Sequence, residues 1–132
     1  MGGLDVGRAG AILAVVDVDR SLAFYRDLLG FSVDAVYDDP PYATLSRAGM
    51  RLSLAEQGHK APDHDVAMTA PDDPRRPATM LVLEVEDAHA AYEALEAVGE
   101  DFVAPLYSPL WGGRRFFVLD PDGFLVEVEQ LA

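Results

Sequence analysis

One pattern, written twice, constrains this chain more than anything else in it. A β-rich run ends at an acidic residue, a helix follows, a glycine stops the helix, and three short strands come next. In the first copy, residues 12–18 are dense in valine and isoleucine and predict a largely buried strand. Asp17 or Asp19 then caps a helix, its carboxylate accepting from free first-turn amides. Leu22, Tyr25, Leu28 and Leu29 recur at three- and four-residue spacing, which predicts one inward face. Gly30 ends the helix, as the residue best suited to the left-handed position beyond a C-terminus. Strands are predicted over 31–37, 42–47 and 50–55, broken by Pro40-Pro41 and turned by Ala48-Gly49. The second copy runs in the same order. It has a strand over 79–85, a cap at Asp87, and a helix over 88–98 with Ala91, Leu95 and Val98 on one face. Gly99 stops that helix, and strands over 102–107, 115–119 and 124–129 follow, the last two joined by Asp120-Pro121-Asp122-Gly123. That turn is well specified: proline presets one backbone angle, aspartate bonds back to nearby amides, and glycine accepts positive φ.

The pattern predicts an α+β duplication within one domain spanning residues 1–132. Module one covers about 8–57 and module two about 78–132. Between them, residues 57–77 hold four of the nine prolines and almost no apolar periodicity. A segment of this kind is either a plain connector or a lid over a pocket.

Composition removes several function classes. There is no cysteine, so disulfide frameworks, thiolate catalysis, zinc fingers and iron–sulfur clusters are excluded. The 23 acidic residues against 10 Lys and Arg give a net charge of −13, which repels both a phosphate backbone and an anionic bilayer. No nucleic-acid or membrane partner is expected. The same excess keeps a protein soluble and also concentrates cationic ligands nearby. The apolar run at residues 11–16 is too short to cross a bilayer, and the start lacks the pattern of a secretory signal. A cytoplasmic location is therefore expected.

The residues Val15-Val16-Asp17 through Arg20-Ser21, then Phe24-Tyr25-Arg26-Asp27-Leu28-Leu29-Gly30-Phe31, resemble the opening of the glyoxalase/bleomycin resistance/dioxygenase superfamily, the vicinal oxygen chelate proteins. Phe117-Val118-Leu119-Asp120-Pro121-Asp122-Gly123 through Val126-Glu127 resembles its final hairpin. The resemblance implies two βαβββ modules curling an eight-stranded mixed sheet into a cup, commonly in a homodimer.

It also implies where metalloenzymes of this kind take their ligands. Counting from Asp17, the first histidine position falls on Gly10; counting from Asp87, the second falls on Met80. The fourth-strand carboxylate position falls at or near Leu52, with Glu56 the only nearby acid, and the last position matches Glu127. One of four donors stands in place. Glycine and leucine supply no lone pair, and a thioether suits copper(I) rather than magnesium, manganese, iron(II) or zinc. No metal and no other cofactor is expected. His59 and His64 sit with Asp63 and Asp65 in the long loop, where a surface metal site lacks a rigid frame.

Strand alternation places Glu127 on one face with Leu125 and Glu129, and Met80 with Val82. Trp111 lies just before the penultimate strand and Phe117 within it, in a stretch similar to the Trp-Gly segment of bleomycin resistance proteins. Aromatic edges with carboxylates suit a flat, cationic aromatic compound. Against this, Trp111, Phe117 and Tyr42 can equally be core, and Glu127 can be tied up by Arg114 or Arg115. The ligand-binding set expected is Tyr42, Leu52, Met80, Val82, Trp111, Arg115, Phe117 and Glu127. The function expected is metal-independent binding of a small molecule, such as sequestration of a cationic aromatic antibiotic. The alternative is a lyase, isomerase or dioxygenase-like enzyme of the same superfamily acting on a small organic substrate. No catalytic residue is assigned.

Overall fold

The structure, a computed structural model, describes residues 2–60 and 62–132. Two compact units are present, one ending at Ala70 and the other running from Pro71 to Ala132. Each has the order predicted from the repeat.

In the first unit, β1 (Gly10–Val15) leads to α1 (Val18–Leu22), which continues into a π-helical stretch, Ala23–Leu28. Then come β2 (Ser32–Asp38), β3 (Pro41–Arg47) and β4 (Met50–Glu56). The sheet order is β1-β4-β3-β2, with β1 parallel to β4 and the other pairs antiparallel. Of the two possible caps, Asp17 is the one used: its carboxylate accepts from the amides of Asp19 at 2.9 Å and Arg20 at 3.3 Å. The strand before it is shifted and less buried than expected. It starts at Gly10, stops at Val15, and buries only Leu13, Ala14 and Val15. As the outer strand of its sheet, β1 has one neighbour, so its leading half and Ile12 stay open to solvent.

The helix also departs from its predicted face. Beyond Leu22 the hydrogen bonds widen, as in Leu29 N–H to the Phe24 carbonyl at 3.1 Å, and the 3.6-residue step no longer applies. Phe24 joins Tyr25 in the core while Leu28 and Leu29 are only half-buried. Tyr25 meets Phe24 and Phe31 edge-on, with ring centroids 5.0 and 6.0 Å apart. α1 packs on β3 and β4, against Leu45, Leu52 and Leu54.

The second unit comprises β5 (Met80–Glu84), α2 (Ala88–Ala97), β6 (Phe102–Tyr107), β7 (Arg114–Leu119) and β8 (Leu125–Gln130). Its order is β5-β8-β7-β6, with β5 parallel to β8. Asp87 caps α2 through the Ala90 amide at 3.0 Å. Phe116, Val118, Val126 and Val128 line the helix side of this sheet with Leu95, and Tyr92 stacks on Phe102 at 4.2 Å. The β7–β8 turn forms as predicted. The buried Asp120 accepts from the amides of Asp122 and Phe124 at 2.9 and 2.8 Å, and Gly123 takes φ of 92°.

The 57–77 segment is tied to β1 at its start, where Gln57 N–H donates to the Val15 carbonyl at 2.9 Å, and then closes on itself. Gly58 N–H donates to the Met68 carbonyl at 3.0 Å, and Lys60 bridges to Ala67. No described helix is long and apolar enough to cross a membrane.

Candidate functional site

In a paired sheet, residues opposite one another in register point to the same side. In the second unit, Val82, Glu127, Phe117 and Ala104 form one such row across the face opposite α2. Glu84, Glu129, Arg115 and Tyr107 form the next row, and Met80, Leu125 and Leu119 flank the first on its other side. The segment before β7 adds Trp111. Five expected residues, Met80, Val82, Arg115, Phe117 and Glu127, therefore share a single sheet face, and Trp111 joins them at its rim.

The centre of this face is an ion pair. Arg115 Nη1 donates to Glu127 Oε1 at 3.0 Å. Glu127 is 7% exposed, so its charge requires a partner, and Arg115 rather than Arg114 provides it. The guanidinium carbon also lies 5.1 Å from the Trp111 ring centroid, 5.2 Å from Phe117 and 5.7 Å from Tyr107. All three distances fall within cation–π range. Arg115 Nε is buried with no hydrogen-bond partner among the described residues.

Around this centre apolar surface lies open. Trp111 is 71% exposed, and Met80 and Val82 are 44% exposed each. Trp111 is thus not core, while Phe117 is half-buried beneath the guanidinium. Trp111, Arg115, Glu129, Pro109 and Leu131 line a cleft of about 240 Å³.

The two expected residues of the first unit separate. Tyr42 lies on the face opposite α1 and lines a shallow cavity of about 270 Å³ with Ile12, Arg51 and Ser53. Leu52 points the other way. It is fully buried among the core leucines, where no ligand on the open face touches it. Placing it in the site was an error of one residue in strand phase: Arg51 and Ser53 hold the open side.

These placements decide whether the implied metal site has donors. At the first position, a Cβ on Gly10 would stand 2.4 Å from the Arg51 carbonyl oxygen, so the backbone leaves no room for a ligating side chain. The open face of β4 offers a guanidinium and a hydroxyl, Met80 offers a thioether, and Glu127 is engaged by Arg115. The set does not fit a divalent ion. His59 pairs with Glu56 at 2.6 Å and His89 approaches Glu93 at 3.5 Å. No cluster of three or more His, Asp or Glu able to hold an ion occurs among the described residues.

Sequence reasoning missed Tyr107, Ile12, Arg51 and Ser53. The first was findable: as Arg115 faces the site, so does the β6 residue two strands from β8 and opposite it. The β4 pair required the strand phase that Leu52 obscured.

Comparison with known proteins agrees with this architecture. A lactoylglutathione lyase of Haemophilus influenzae is 32% identical over 122 residues, 88% of this chain and 86% of that protein. Among solved structures, TioX from Micromonospora sp. ML1 superposes with a TM-score of 0.76 at 22% identity, over 96% of this chain and all of that one. A lactoylglutathione lyase from Agrobacterium tumefaciens gives 0.75 at 18% identity, over 96% and 94%. Residues 7–128 match the family profile, and with the duplicated βαβββ units this chain belongs to the Glyoxalase/Bleomycin resistance protein/Dioxygenase superfamily.

Proposed function

We propose that this protein binds a small organic molecule without a metal, using the open face of the second sheet, and that binding itself is its function. One observation carries the reading: an exposed tryptophan and two exposed apolar strand residues surround a nearly buried carboxylate. Apolar side chains on a sheet face gain roughly 25 cal/mol per Å² when a ligand covers them. Trp111 supplies a stacking plate, and Glu127 and Glu129 supply negative charge. The ligand class is a flat, cationic aromatic compound, and an antibiotic of that description is the working example. Sequestration needs no chemistry, since free ligand falls once the protein's own concentration exceeds Kd. The assembly proposed is a homodimer, which sedimentation equilibrium tests directly. Trp111 is the single tryptophan of the chain, so its fluorescence reports this site alone. Titration with a planar cationic drug should quench or shift it with saturation below about 1 mM, a binding energy near −4 kcal/mol. Absence of any change across basic glycopeptides and intercalating drugs overturns the reading.

A second reading is favoured by the Haemophilus relative, whose identity extends over most of both chains. On it, the protein is a lyase or isomerase of the same superfamily, and Glu127 is the proton-handling group. An assay for lactoylglutathione lyase activity, with and without added nickel or zinc, separates the two. Turnover abolished in Glu127→Gln supports the enzyme.

A further inference from the structure

We infer that Arg115 occupies a preformed guanidinium site, and that the ligand's own amidinium or guanidinium group binds by displacing it. The inference rests on the binding reading above and names the chemical group that the site takes. Three rings, Tyr107, Trp111 and Phe117, stand 5.1–5.7 Å from the Arg115 guanidinium carbon, and Glu127 accepts one of its N–H groups at 3.0 Å. Aromatic faces around a planar cation, closed by a carboxylate, form a recognition site for that cation whether it belongs to the chain or to a ligand.

Arg115 fills the site imperfectly. It offers a single Nη hydrogen bond to Glu127 rather than the two parallel bonds a guanidinium can make to a carboxylate. Its Nε is buried with no acceptor among the described residues, which an external cation approaching from the solvent side is free to avoid. The side chain is 27% exposed, so it has an open path outward, and two of the three rings are themselves solvent-exposed. Glu129 lies opposite Arg115 in register and is available to receive the displaced guanidinium. The site thus holds an internal competitor. Any cationic ligand must outbid Arg115, and removal of Arg115 unmasks the full affinity.

The test uses benzamidinium, a flat aromatic cation, with neutral benzamide as its isostere, read by Trp111 fluorescence and by melting temperature. Arg115→Ala should bind benzamidinium at least tenfold more tightly than the unaltered protein does, and benzamide should show no such gain. Ligand should also raise the melting temperature of the variant more than that of the parent, since binding to the folded state stabilises it. Arg115→Gln, which keeps a donor for Glu127 while withdrawing the guanidinium from the rings, serves if the alanine variant does not fold. Equal affinity in parent and variants, loss of binding on substitution, or equal gains for benzamide each overturn the displacement. A planar drug that saturates Trp111 in the parent while benzamidinium binds no variant overturns the displacement alone and leaves the binding function standing.

Discussion

Arg115 and Glu127 meet diagonally across adjacent strands, Arg115 standing opposite Glu129 and Glu127 opposite Phe117, and are joined by one hydrogen bond of 3.0 Å, with the arginine partly exposed and the carboxylate almost wholly covered. The two ends of this pair are unequal. Removing the arginine leaves a negative charge with little water around it, whereas removing the carboxylate leaves a guanidinium that still rests on three rings and reaches solvent. Arg115→Ala should therefore cost roughly 1–3 kcal/mol, below the full value for a deeply buried pair because the arginine keeps solvent contact. Glu127→Gln should cost less than Arg115→Ala. Urea unfolding of both single variants and the double variant checks this, and the coupling should be positive.

The β7–β8 turn is a second place where one side chain holds its surroundings, here two backbone amides. Asp120 is 4% exposed and accepts from two amides within the turn, at 2.9 and 2.8 Å. Asp120→Ala leaves those amides without their acceptor and should destabilise the protein by about 1–3 kcal/mol. Asp120→Asn keeps one oxygen in place and should cost clearly less. Thermal melts of the two variants give the comparison, and equal losses would show that charge rather than the turn bonds matters.

The repeat makes most of the fold legible in the sequence. Both caps, both stop glycines and the aspartate-proline-aspartate-glycine turn are local chemistry, and each forms where the residues indicate. What failed was phase. The π-helical stretch moved Phe24 inward in place of Leu28, and no spacing rule built on 3.6 residues per turn anticipates that. Leu52 was misplaced for a related reason: on a strand an error of one residue exchanges the two faces. The candidate site was legible where alternation had an anchor, as at Glu127 and Met80. That Arg115 rather than Arg114 meets Glu127 follows from the register of β7 against β8, which a single sequence does not carry.

Acid titration should expose a small destabilising group. Burial, and then the neighbouring charge of Asp101, raise the Glu100 carboxyl above its ordinary value. Raised folded affinity for the proton means that the unfolded chain releases it first as pH rises. The resulting penalty is absent below the ordinary glutamate range, builds as pH climbs toward the folded value, and is complete above it. Glu100→Gln should accordingly be more stable than the parent at about pH 7 and no more stable at about pH 3.5. Solvent reaches this residue, so the gain is modest. Denaturation midpoints at the two pH values measure it, and a constant difference between them would assign the effect to packing instead.

Gly10 bears on whether metal chemistry can be restored. The position matches a ligating histidine in the superfamily's metalloenzymes, yet a Cβ there would lie 2.4 Å from the Arg51 carbonyl oxygen and 3.0 Å from the Arg51 Cβ. The obstacle is backbone, which cannot swing aside as a flexible side chain would. Gly10→Ala should destabilise the protein by about 1–3 kcal/mol through overpacking, and Gly10→His by at least as much. Adding zinc or nickel should raise the melting temperature of neither the parent nor Gly10→His, because the remaining positions offer a thioether, a guanidinium or hydroxyl, and a carboxylate already bound to Arg115. A stoichiometric ion found by elemental analysis of the purified parent, lost on Glu127→Gln, would show instead that the strand face rearranges to ligate it. The steric term and the donor term are separable here, since Gly10→Ala tests the first without supplying any ligand.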